Sequence, residues 1–73
     1  MLPDDLIGKE VVDLLGKKLG LVKKENIIIE AGSGRVESII INNDNNKYII
    51  PCNGIRHIGS IVVLIDNAVN FRV

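Results

Sequence analysis

The sequence predicts a small all-β domain, and three observations carry that expectation. Ile, Val and Leu make up 28 of the 73 residues, while the aromatics are Tyr48 and Phe71 alone. Thirteen of those aliphatics are isoleucines, and β-branched side chains fit a pleated, half-buried surface. Turn-forming residues (Gly8, Gly16, Gly20, Gly32-Ser33-Gly34, Asn42 to Asn46, Pro51, Gly54 and Gly59) cut the chain into pieces of about 4–10 residues, the spacing of a barrel or sandwich. The length supports one domain, residues 1–73, with a barrel over about 5–66 and a tail at 67–73.

The elements follow in order. Asp4 and Asp5 suit the start of a short helical turn over residues 3–7. Gly8 and the Val11-Val12 pair then favour a strand from about 9 to 15 over a continued helix. The segments Asn26 to Glu30 and Arg35 to Ile41 flank Ala-Gly-Ser-Gly and read as a hairpin. Each arm carries three consecutive isoleucines, which breaks apolar–polar alternation. Such a run implies partial cover of both faces, by barrel closure or by a second subunit, or else a β-bulge. The polar run Asn42 to Asn46 forms a second turn, because Asn and Asp tolerate left-handed backbone. Pro51 closes the strand at Tyr48 to Ile50, since proline cannot donate to a ladder. Cys52-Asn53-Gly54 turns into Ile55 to Ile58, and Gly59-Ser60 into Ile61 to Ile65. The tail alternates with period two, placing Val69, Phe71 and Val73 on one side and Asn70 and Arg72 on the other.

Composition excludes several functions. Nine bases balance nine acids, so no long-range field draws a polyanion, and no run of stacking aromatics serves single-stranded nucleic acid. The longest apolar run, Ile61 to Ile65, is far short of the roughly 20 residues that cross a bilayer. Asp4 and Asp5 precede the first base, so no secretory leader is read. A single cysteine makes no internal disulfide and suits a reducing cytoplasm. Domains this small draw little stability from one core, so oligomerisation is the remaining staple, and a dimer or larger assembly is expected.

Candidate chemistry is sparse. Cys52 is the one nucleophile of note, with His57 five residues on, but an activated thiol needs more than a nearby imidazole. His57 reads as a surface or edge residue, alternating with Arg56 and Ile58. Asp13, Glu30, Glu37 and Asp66 read as strand-end or solvent-facing acids, and no paired-carboxylate motif is present. The Asn42 to Asn46 run lacks the spacing of a calcium loop, and Gly32-Ser33-Gly34 lacks the Lys of a phosphate loop. No cofactor, metal or catalytic residue is therefore expected. The tail residues Val69, Phe71 and Val73 are the candidate interaction site, either packing on the barrel or adding as a strand to a neighbour.

The motifs run Leu6-Ile-Gly-Lys-Glu-Val-Val-Asp13, Gly16-Lys-Lys-Leu-Gly-Leu-Val22, Gly34-Arg-Val-Glu-Ser-Ile39, Tyr48-Ile-Ile-Pro51, Ile55-Arg-His-Ile-Gly59 and Val62-Val-Leu-Ile-Asp66. This order resembles the PRC-barrel family. Among such proteins it is most similar to the short, single-domain YlmC/YmxH-type group associated with sporulation. The resemblance implies a highly bent, six-stranded antiparallel barrel that acts as a docking module, not a catalyst. It also raises an alternative, an RNA- or ribosome-associated accessory role by analogy with RimM. The chain departs from the family pattern at Leu15, where Asp or Asn commonly opens the first turn, and at Cys52, where Trp is frequent. Its connection over Asn42 to Lys47 is also short.

Overall fold

The computed structural model describes residues 1–73. Pro3 opens a single 3-10 turn over Pro3–Asp5, and the Asp5 carboxylate accepts the Leu2 N–H at 2.9 Å, which holds the turn closed. Seven strands follow: β1 (Glu10–Asp13), β2 (Lys18–Leu21), β3 (Ile27–Ile29), β4 (Val36–Asn43), β5 (Asn46–Pro51), β6 (Ile55–Ile58) and β7 (Val62–Ile65). Two more 3-10 turns, Lys24–Asn26 and Cys52–Gly54, link strands, and a last one, Ala68–Phe71, forms the tail.

The strands form a four-stranded sheet in the order β2-β1-β7-β6 and a three-stranded sheet in the order β3-β4-β5. The all-β barrel expected from sequence is present, with two differences of detail. The additional strand is β2, which begins at the second of two consecutive lysines and carries Gly20, so its sequence resembles a turn. One strand pair is parallel: β1 runs beside β7 from Glu10↔Val62 to Asp13↔Ile65. A parallel pair needs a long connection, and here the intervening chain contains the whole three-stranded sheet. The two sheets are tied at one end by Asn43, whose Nδ2 donates to the Lys18 and Leu19 carbonyls at 3.3 and 3.1 Å.

Period-two alternation decides what enters the core. Val11, Val63 and Ile65 point inward from the first sheet, and Ile39, Ile41, Tyr48 and Ile50 from the second. Leu6, Leu19, Val22, Val36 and Ala68 complete a single cluster of twelve buried side chains. The isoleucine runs resolve differently on their two arms. In β4, Ile39 and Ile41 are buried and Ile40 faces outward; in β3, Ile28 and Ile29 remain exposed on either side of a register shift opposite Val36 to Ser38. Barrel closure therefore covers one face of the second sheet and leaves the other open.

The tail departs from its expected extended form. Ala68–Phe71 is a 3-10 turn, Arg72 makes a single bridge to Tyr48, and the Val73 N–H donates to the Lys47 carbonyl at 2.9 Å. The turn separates the three predicted partners: Phe71 packs against the core, whereas Val69 and Val73 stay exposed. Gly54 sets the position of Phe71. A Cβ at residue 54 would lie 2.6 Å from the Phe71 ring, so only glycine lets the ring seat there. Gly54→Ala is expected to cost about 1–3 kcal/mol of stability by overpacking, measured by urea denaturation. Phe71→Leu in the same chain should recover part of the loss.

Candidate functional site

The most constrained polar group in the chain is Asp13. It ends β1 on the core-facing side, in register with Ile65, and is 3% exposed. Of the two positions expected for Asp13, strand end or solvent face, it takes the first: it closes β1, and being in phase with Val11 turns it inward, away from solvent. Its Oδ1 accepts the backbone N–H of Leu15 at 3.0 Å and of Lys17 at 2.8 Å. Its Oδ2 accepts the N–H of Ala68, fifty-five residues away, at 3.0 Å. One carboxylate thus shapes the β1–β2 turn and anchors the start of the tail. It also explains how the turn forms with Leu15 in place of a polar residue, since Asp13 supplies the acceptor from two residues earlier.

These bonds hold the Asp13 carboxyl below the usual carboxylate range. The Ala68 N–H is the largest cause, burial opposes it, and the Lys17 and Leu15 N–H groups and the Lys17 charge add to the lowering.

A cleft of about 230 Å3 lies between the turn and the tail. Leu15, Lys17, Tyr48, Val69 and Arg72 line it, with Asp13 at its base. The Lys17 Nζ donates to the Tyr48 hydroxyl at 3.1 Å and stands 5.6 Å from the ring centroid. Of the tail residues expected at an interaction site, Val69 lies on this cleft and Phe71 is seated beside Gly54. Asp13, Lys17 and Tyr48 were not singled out as site residues from sequence. A buried Asp two residues before Leu15-Gly16 was the available signal.

The remaining candidates stand apart. Cys52 is half-buried in the Cys52–Gly54 turn and lines a separate open cleft with Met1, Glu30 and Arg35. His57 is exposed on β6, and no hydrogen bond joins it to Cys52. His57 takes the expected place of an exposed residue on an edge strand, and Arg56, at the register shift between Ile55 and His57, is exposed beside it. No group of three or more His, Cys, Asp or Glu side chains is gathered where a metal ion could be held. The Asn42 to Asn46 run forms the expected turn, with Asp44 at φ 54°. The single ion pair, Arg56 to Asp66 at 3.1 Å, is solvent-accessible and contributes little. No helix is long and apolar enough to cross a membrane.

Two short sheets folded on one core, with a Gly-Lys-Lys turn held by a buried aspartate, define a small β-barrel domain. The sequence pattern of the PRC-barrel domain matches residues 1–69, and the chain belongs to that family. Comparison with curated proteins returns no match.

Asp13→Asn replaces an ionised acceptor with an amide that cannot serve three N–H groups equally. It is expected to cost about 2–4 kcal/mol near neutral pH in urea denaturation. The sign with pH follows from the lowered folded-state pKa: the stabilisation is full above the unfolded carboxylate's pKa and is lost as pH falls through the folded value. The difference between wild type and Asp13→Asn should therefore shrink in acid.

Proposed function

We propose that this PRC-barrel domain is a non-catalytic protein–protein interaction module whose first partner is a second copy of itself. The observation that carries the reading is the outer face of the three-stranded sheet. Ile40 and Ile49 are direct cross-strand neighbours there, and Ile28 stands on the adjacent strand. Ile28 is 38% and Ile49 is 36% exposed, on a sheet whose opposite face already fills the core. The aliphatic centre of that face, which Lys47 borders on β5, can meet its own copy across a two-fold axis. Completing the burial of each such isoleucine is worth on the order of 1 kcal/mol before association costs.

Strand edges support the same reading. β3 occupies one edge of its sheet, beside the exposed isoleucines. The other edge, at β5, is occupied in part by the tail through the Tyr48↔Arg72 bridge and the Val73 to Lys47 bond. Pairing of β3 with its counterpart would extend the sheet and join two isoleucine faces into one. The similarity to the YlmC/YmxH-type group extends the proposal to a sporulation-associated role, and the free thiol of Cys52 fits a cytoplasmic setting. The balanced charge gives an RNA-associated role less support.

Light-scattering mass measured against concentration tests this reading. The wild type should approach twice the 8.0 kDa chain mass at high micromolar concentration, and Ile49→Lys should remain a monomer with an unchanged circular dichroism spectrum. A wild type that stays monomeric throughout would contradict it.

A further inference from the structure

The cleft between the β1–β2 turn and the tail has a composition that the barrel itself does not require. Its rim is apolar: Leu15 is 78% and Val69 is 72% exposed. Its polar lining is cationic. The only ion pair in the chain joins Arg56 and Asp66, so neither Lys17 nor Arg72 has a carboxylate within ion-pair distance. The uncharged polar lining is Asn67 and the Tyr48 hydroxyl; Tyr48 is 1% exposed, and its hydroxyl accepts from Lys17 and donates to no protein group. The one acid present, Asp13, is committed to three backbone N–H groups. Two cations and an unspent hydroxyl donor framed by two exposed aliphatics are complementary to a carboxylate carried beside branched apolar groups.

We infer that this cleft binds an acidic–aliphatic segment of a partner protein, with a Glu or Asp carboxylate on Lys17, Arg72 and the Tyr48 hydroxyl, and neighbouring aliphatic side chains on Leu15 and Val69. At about 230 Å3 the cleft is smaller than the roughly 300–1,000 Å3 of sites that enclose a small molecule, which favours a side chain delivered on a peptide. The inference rests on the docking reading above but uses a different surface from the Ile28, Ile40 and Ile49 face. Asp13 gives the cleft its shape, because the same carboxylate positions the turn that bears Leu15 and Lys17 and the tail that bears Val69 and Arg72.

The test is an NMR titration of the labelled chain with the peptide acetyl-Leu-Glu-Leu-amide, and with the Gln peptide as its neutral counterpart. The Glu peptide should bind with a Kd of about a millimolar, shifting Leu15, Lys17, Tyr48, Val69 and Arg72, and the Gln peptide should bind about tenfold more weakly. Lys17→Gln and Arg72→Gln, both at exposed positions, should each weaken the Glu peptide about tenfold, while Lys23→Gln, outside the cleft, should not. Equal binding of the two peptides, shifts that map elsewhere, or equal loss in Lys23→Gln would overturn the inference. Running the same titration on the Ile49→Lys variant separates the two proposals: self-association is lost with that side chain, whereas peptide binding should persist.

Discussion

The fold depends on a buried carboxylate that cannot be satisfied within its own strand. Asp13 follows Val11 on the inward face of β1, where burial of an ionised group without partners would cost several kcal/mol. The three N–H groups that offset the cost come from both sides of the molecule: Leu15 and Lys17 in the following turn and Ala68 after the last strand. The parallel pairing of β1 with β7 makes this geometrically available, because it places the end of β7 beside the end of β1. The chain past Ile65 therefore enters within reach of the carboxylate. The tail then continues to Phe71, which Gly54 admits, and to Arg72, which bridges Tyr48. Turn, tail and second sheet meet around one side chain.

A chain this short has too little interior for its aliphatics, and its architecture sorts them. Twelve side chains fill the core, while Ile28 and Ile49 on one face and Leu15 and Val69 at one end remain outside. The two exposed groups differ in character. The sheet face is aliphatic at its centre and bordered by Lys47, whereas the end cleft combines its aliphatics with Lys17 and Arg72.

Much of the fold was legible in the sequence, because β-branched runs and turn residues act locally. The opening turn, the two hairpins, the left-handed backbone at Asp44 and the strand break at Pro51 all follow from residues in place. β2 was illegible because Gly20 and two lysines mimic a turn, while its pairing comes from β1, not from its own propensity. The tail's alternation misled for a related reason: Ala68 is captured by Asp13, a contact spanning the whole barrel, and this starts a 3-10 turn where local pattern favours a strand. The candidate site was the least legible part. Asp13, Lys17, Tyr48 and Val69 are scattered along the chain, and their convergence depends on the parallel pair and on the side-chain bonds it permits. The resemblance to the PRC-barrel family supplied the architecture, and its motifs contain Asp13, Lys17 and Tyr48 without assigning them to a common site.

The central claim is that an ionised Asp13 holds the turn and the tail together. Its most direct test is a carboxyl NMR titration of Asp13 with the amide protons of Leu15, Lys17 and Ala68 followed in the same samples. The carboxyl should titrate below the usual carboxylate range, with all three amide signals moving along the same curve as the carboxyl carbon. A pKa at or above the usual range, or an Ala68 amide that titrates independently of Asp13, would contradict it.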